Sequence, residues 1–214
     1  WHVLPLLRTL LAEITKPSIH STASIHKTAV VEGNVVLGKN TRVLPHASVI
    51  GPCYIGDNCV IGNNALVRGS SIGDACVVGY NSEVKGSVLA GPVWTHMTYL
   101  GDSVVGRNVS FGGGCLTGNL RLDETEVWCR NGEESISTGL TKLGAIIGDD
   151  CRFGIQIGLN PGIRIGQGSF VSGGLFLSSD VPEASFVSIK DGKVEVRPNR
   201  GKAPGMGERK KYFQ

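Results

Sequence analysis

The chain predicts a parallel β-helix built from hexapeptide repeats, and three observations carry that expectation. Ile19, Ile25, Val31, Leu37, Val43, Val49, Ile55, Ile61 and Val67 fall on an unbroken six-residue beat. Small or short residues follow four positions later at Ala23, Ala29, Val35, Thr41, Ala47 and Ala65, with Ser169 in the same role further on. Glycine recurs directly after the beat, as in Ile55-Gly56-Asp57-Asn58 and Ile165-Gly166-Gln167-Gly168, where turn conformations resist a Cβ. A period of six is neither the 3.6 of a helix nor the alternation of an isolated strand. Each repeat is one short strand plus a turn, and each coil buries its aliphatic face only because neighbouring coils cover it, about 4.8 Å away.

Residues 1–17 precede the beat and read as a helix or linker. Leu4, Leu7, Leu11 and Ile14 form one apolar stripe, and Pro17 marks its end. The stretch is too short, and too interrupted by Pro5, Arg8 and Glu13, to cross a bilayer.

The solenoid is expected over 18–181. After one-residue slips the beat resumes at Ile72, Val78 and Val84, then Leu100, Val105 and Phe111, and again from Ile147 through Phe153, Leu159, Ile165, Val171 and Leu177. Cys53, Cys59, Cys76, Cys115 and Cys151 occupy the same small inward position as Ala23 or Ala65, so they read as packing residues and not as disulfide or metal partners. Buried unpaired thiols point to a reducing compartment, the cytoplasm.

An insertion at 120–143 breaks the beat. Asn131-Gly132, flanked by strand formers, predicts a projecting β-hairpin of the kind that borders a binding surface. Residues 182–214 form a second hairpin, turning at Asp191-Gly192 and capping the last coil, followed by a basic tail with Arg200, Lys202, Arg209, Lys210 and Lys211 against Glu208. That tail reads as a solvated end. The formal net charge of +3 is too small to suggest a nucleic-acid partner, and the 31 glycines suit a turn-dense solenoid.

One run departs from the repeats. In Thr95-His96-Met97-Thr98-Tyr99-Leu100-Gly101-Asp102 a histidine and a tyrosine interrupt the aliphatic pattern. This run resembles the G-H-L-T-Y-L-G-D segment of the acetyltransferase domain in bifunctional N-acetylglucosamine-1-phosphate uridyltransferases. The resemblance is closer to archaeal sugar-phosphate nucleotidylyltransferases with amino-sugar-1-phosphate acetyltransferase domains. It extends through Gly118-Asn119-Leu120-Arg121-Leu122-Asp123-Glu124, the hairpin, and Lys142-Leu143-Gly144-Ala145-Ile146-Ile147-Gly148.

The resemblance implies a left-handed β-helix, a homotrimer, and sites between subunits that take acetyl-CoA and an amino-sugar 1-phosphate. Residue by residue it places His96 on the catalytic base and Asn119 on an acetyl-transfer contact. Arg68 and Lys85 fall on basic positions that hold the sugar phosphate, Tyr99 and Lys142 on sugar contacts, and Gly173 on a small position against the cofactor. Ser110 stands where the family has an asparagine contacting the amino sugar, and Ile155 where a cofactor-contacting serine is common. Thr125 and Trp128 replace lysines of archaeal relatives. No G-x-G-T-R-type nucleotide-binding start occurs in these residues, and the segment before Pro17 resembles the linker between the two domains of relatives.

Those roles suit the chemistry. Acetyl transfer from a thioester to an amine needs a base, for which histidine is apt near neutral pH, and a donor for the oxyanion. A sugar phosphate calls for Arg and Lys together. Two other functions share the fold. One is a non-catalytic trimerising or regulatory module of a sugar nucleotidyltransferase. The other is a zinc hydratase of the γ-carbonic anhydrase type, for which His20, His26 and His46 are the remaining histidines of the solenoid and lack suitable spacing. No resident metal is expected.

Overall fold

The computed structural model describes residues 1–205, and Glu208, Arg209, Lys210 and Lys211 lie outside them. The chain winds as a left-handed parallel β-helix in which each coil gives one strand of two or three residues to each of three sheets. Among the described residues these sheets hold eight, ten and eight strands, and the first begins at Ser18–Ile19, the second at Ser24–Ile25 and the third at Val30–Glu32.

The beat slips because the coils shorten. Early coils repeat every 18 residues, as when Asn40 N–H donates to Thr22 Oγ1; later ones repeat every 17 and then 16. Across the insertion the step jumps to 42, with Val104 pairing Ile146. Beat residues point inward throughout. Leu37, Val49, Ile61, Val84 and Leu100 are buried, and Phe111 stacks on Phe153 with centroids 4.8 Å apart. Ile19 and Ile25 are exposed because no coil precedes theirs. All six cysteines are free and buried, the five of the solenoid within its core.

Helix α1 spans Val3–Ala12, shorter than its apolar stripe suggests and ending before Pro17. Leu4, Leu7 and Leu11 bury against Val127, Cys129 and Leu143 of the insertion, with Val88, Val104 and Ile146 of the first sheet beneath. Each buried leucine contributes about 1.5–3 kcal/mol. The helix is therefore a packed cover on the first sheet.

The expected projecting hairpin is corrected by the same contacts. Its strands, Trp128–Asn131 and Glu134–Ser137, pair antiparallel, but Val127 and Cys129 are buried under α1. The turn also falls one residue later than Asn131-Gly132 suggests. Asn131 pairs with Glu134, leaving Gly132 (φ 62°) and Glu133 as the loop. Alternating burial decides the register here, since it keeps Val127 and Cys129 on the covered side.

At the other end Ser185–Lys190 pairs parallel with Phe170–Val171 and antiparallel with Lys193–Pro198. Asp191 (φ 52°) and Gly192 (φ 75°) make the two-residue turn as expected. Residues 199–205 then run back along the second sheet: Asn199 Nδ2 donates to the Gly168 carbonyl (2.8 Å), and the Pro204 carbonyl accepts from Asn108 Nδ2 (3.1 Å) and Arg152 Nη2 (3.3 Å). Arg200 and Lys202 are exposed. The third sheet keeps large apolar side chains facing outward, with Phe176 81% and Leu116 50% exposed.

Candidate active site

The third sheet and its two flanking corners hold most of the sequence-identified residues. Along its outer face the register stacks Arg68 on Lys85 and Lys85 on Gly101, while Glu83 stacks on Tyr99 and Tyr99 on Leu116. At the corner leading to the first sheet, Asp102 gathers the next residues. Its Oδ2 accepts from Lys85 Nζ and from Asn119 Nδ2, each at 2.6 Å, and Arg8 Nη2 of α1 lies 3.9 Å from Oδ1. The Asp102 side chain is only 3% exposed.

The backbone at this corner is fixed by a buried run of hydroxyls. Ser70 Oγ donates to the Arg68 carbonyl, Ser87 Oγ to that of Lys85, and Ser103 Oγ to that of Gly101, each at 2.9 Å. Each oxygen also accepts from the coil above: Ser87 N–H to Ser70, Ser103 N–H to Ser87, Ala145 N–H to Ser103. These serines occur where the coils shorten, and they satisfy carbonyls that an alanine would leave without that partner.

Two glycines make room. Gly86 (φ 59°) sits so close to Asp102 that a Cβ would meet Oδ1 at 2.6 Å. At Gly101 a Cβ would run into the Tyr99 ring and hydroxyl, so the glycine lets the phenol lie along the strand toward the Asp102 corner. Burial raises the Tyr99 pKa, the Glu83 and Asp102 charges raise it further, and Arg68 and a hydrogen bond with Asn119 oppose them. Tyr99 is held as a neutral donor.

The insertion leaves and re-enters at this same place. Leu120 and Lys142 form an antiparallel bridge, and Leu143 N–H donates to the Asn119 carbonyl (2.9 Å). Lys142 is exposed beside that foot. Tyr99, Leu116, Asn119, Leu120, Gly158 and Phe176 line a cleft of about 430 Å³ on the third sheet.

His96 lies across the sheet, at the corner coming from the second sheet, with its ring exposed. After the first coil, every turn of that corner carries a left-handed third residue: His46, Asn64, Asn81, Met97, Gly114, Gln156 and Gly174 all have positive φ. The residue just before it therefore presents its carbonyl to the next coil. His96 O accepts from Gly114 N–H, Gly113 O from Gln156 N–H (2.8 Å), and Ile155 O from Gly174 N–H (2.9 Å). His96, Gly113, Ile155 and Gly173 thus form a single column. Ile155 is 62% exposed, and a Cβ at Gly173 would approach its Cγ1 to 3.3 Å.

Ser110 does not join either group. It pairs with Trp94 and Arg152 on the second sheet, around the corner from the cleft. Sequence reading missed Asp102 and Glu83 as organisers of the site. No local signal sets them apart, since Asp57, Asp74 and Asp149 are likewise acidic residues of the solenoid. Arg68 pairs with Glu83 through Nε (3.0 Å) and Nη2 (2.7 Å). That pair is exposed enough to contribute little stability, under about 1 kcal/mol. The histidines weighed for zinc serve turns instead: His20 and His26 each hydrogen-bond a threonine two residues on, Thr22 and Thr28. Among the described residues no group of three potential metal ligands forms.

Comparison with known proteins agrees with this architecture. Residues 14–119 match the family model described as GMPPB C-terminal domain, and residues 144–179 match the hexapeptide repeat of succinyl-transferase. The bifunctional protein GlmU of Methanococcus maripaludis (strain C5) is 40% identical over 96 residues, which are 45% of this chain and 23% of that protein. A bifunctional sugar-1-phosphate nucleotidylyltransferase/acetyltransferase of Sulfurisphaera tokodaii is 38% identical over 102 residues, 48% of this chain and 25% of that protein. The chain therefore spans about a quarter of the length of these relatives. An Arabidopsis UDP-N-acetylglucosamine acyltransferase superposes with a TM-score of 0.52 at 17% identity, over 85% of this chain and 74% of the other, a likeness of fold. The two models and these relatives show that the chain is similar to hexapeptide-repeat β-helix proteins, and to bifunctional sugar-phosphate enzymes over about half of its own length.

Proposed function

We propose that the chain is an acetyl-CoA-dependent N-acetyltransferase acting on an amino-sugar 1-phosphate, glucosamine 1-phosphate or an epimer, in nucleotide-sugar biosynthesis. The observation that carries this reading is the grouping of Lys85, Tyr99 and Asn119 around one buried carboxylate, beside an open cleft whose sheet is flanked by His96. Acetyl-CoA would lie along the corner column, where Gly113 and Gly173 carry no side chain. The amine nitrogen attacks the thioester carbon, the C–N bond forms and the C–S bond breaks. His96 takes the amine proton and the departing thiolate receives one, so charge balances without a covalent enzyme intermediate. In this reading Asn119 stabilises the oxyanion, and Arg68 and Lys85, with Tyr99 and Lys142, hold the sugar phosphate.

The cleft residues and Ser110 lie on different sheets of one subunit, which supports a homotrimer in which a neighbouring copy brings its second sheet toward this cleft. Free buried cysteines support a cytoplasmic setting, and no described helix is long and apolar enough to cross a membrane. Release of coenzyme A thiol with glucosamine 1-phosphate tests the reading. His96→Ala should lower kcat by at least about a hundredfold, and full activity in that variant overturns the assignment of the base.

One observation favours a second reading, a non-catalytic trimerising module. Both cations assigned to the phosphate already have carboxylate partners, Glu83 and Asp102. Calorimetric titration with acetyl-CoA separates the two, because only the enzyme requires binding.

A further inference from the structure

Lys85 and Arg68 fall on equivalent positions of adjacent coils, yet their carboxylate partners differ. The Arg68 side chain is 48% exposed and that of Glu83 29%. An anionic ligand can take over one hydrogen-bonding edge of that guanidinium at little cost. The Asp102 side chain is 3% exposed and that of Lys85 22%, with a 2.6 Å contact. A carboxylate so far removed from water must keep its partners, because an unpaired buried charge is strongly destabilising.

Asp102 is also anchored on every side. Its N–H donates to the Lys85 carbonyl (2.8 Å), its carbonyl accepts from Gly144 N–H (2.8 Å), and its backbone takes φ 45°, which Asp and Asn tolerate better than other side chains. These two backbone bonds tie it to the coil below through Lys85 and to the chain returning from the insertion through Gly144. One carboxylate oxygen thus fixes an ammonium from the coil below and an amide from the start of the insertion. The Arg8 guanidinium approaches its other oxygen from α1.

We propose that Asp102 is a positioning residue: it fixes the Lys85 ammonium at the Asp102 corner and the Asn119 amide at the wall of the cleft, while leaving Arg68 as the cation that exchanges its partner for the substrate phosphate. This rests on the acetyltransferase reading for its kinetic part only. Lys85 retains further N–H donors when one is held by Asp102, so the anchor directs it without consuming it.

Asp102→Asn tests the proposal, since asparagine keeps the size and tolerates the backbone angle while removing the charge. In the absence of substrate, labelling with an amine-reactive reagent followed by mass spectrometry should find Lys85 slow in the unaltered protein and as fast as exposed Lys39 in D102N. The other lysines should not change. A fold-supporting role alone would raise labelling at many lysines together and lower Tm. Unchanged protection of Lys85 overturns the proposal, whether or not the protein transfers acetyl groups. With acetyl-CoA and glucosamine 1-phosphate, kcat/KM of D102N should fall at least about tenfold.

The double variant D102N/K85M keeps the test decisive if D102N does not fold, because it buries no unpaired charge. With the competing donor gone, the carbonyl of the introduced amide can accept from Asn119 alone. Its kcat/KM should therefore match that of K85M within about twofold. A further tenfold loss beyond K85M overturns the positioning role.

Discussion

Tyr99 lies flat over Gly101, its phenol occupying the space that any side chain at position 101 would need. The two residues are neighbours on the same side of one strand, and their contact sends the hydroxyl toward Asn119 and Asp102 instead of outward. Gly101→Ala should displace the ring while leaving the inward Leu100 and Ser103 untouched. The expected outcome is a raised KM for the sugar phosphate with Tm lowered by no more than a few degrees. Measuring KM and Tm on the same preparation checks it, and an unchanged KM would separate Tyr99 from substrate binding.

Ser87 holds the chain beneath Lys85. Its hydroxyl donates to the Lys85 carbonyl (2.9 Å) and accepts from Ser103 N–H (3.0 Å), and the residue is fully buried. Ser87→Ala leaves both groups without that partner, at a cost of about 1–3 kcal/mol. Urea unfolding should register that loss as a lower midpoint at constant slope. Ser70 sits one coil below in the same pattern, so the pair S70A/S87A should fall short of additivity, since Ser87 N–H is itself bonded to Ser70 Oγ.

The solenoid was legible because its inward positions obey a local rule that each coil repeats. Ile55 or Val67 announces its burial through spacing alone, and the cysteines announce theirs by sharing the position of Ala65. The covered first sheet was not legible. Val88 and Val104 look like ordinary outward strand residues, and only the three-dimensional return of the insertion brings Val127 and Cys129 over them. The same limit applied to the hairpin turn, where Asn131-Gly132 is the better local signal but burial of Cys129 sets the register. In the site, His96 and Tyr99 stood out because they break the beat. Asp102 did not, since its role comes from Lys85 and Asn119, each 17 residues away along the chain. Periodicity also could not place Ser110 on a different sheet from Tyr99, because position within a coil depends on how far the beat has slipped.

Leu7 is one of the three leucines through which α1 joins the buried cluster of the insertion. Leu7→Ala should cost about 2–5 kcal/mol of local stability, the range for a truncated buried leucine. Because the helix covers Val127 and Cys129, the effect should spread. Amide exchange at Trp128–Asn131 and Glu134–Ser137 should accelerate together with that of α1, while strands such as Val60–Ile61 keep their protection. Acceleration confined to the helix would mean that the insertion holds its place unaided.

Alkaline pH should loosen the coil around Cys151. Burial pushes this thiol up from 9.0 to about 11, its residue being fully buried in the core of the solenoid. A thiol whose pKa is higher in the folded state binds its proton more tightly there. Its contribution is complete below pH 9 and is lost as pH rises from 9 through 11, when the unfolded chain ionises first. A two-unit shift corresponds to about 2–3 kcal/mol. Cys53 and Cys115 are raised by burial in the same direction and add to the slope. Cys151→Ala should therefore show a shallower fall of stability between pH 9 and 11 than the unaltered chain, measured by urea unfolding at each pH under reducing conditions. It should also begin from a lower value at about pH 7, because alanine leaves part of the thiol's volume empty. Parallel profiles for the two proteins would mean that this thiol ionises over the same pH range in the folded and unfolded chains, and that the alkaline loss arises at another group.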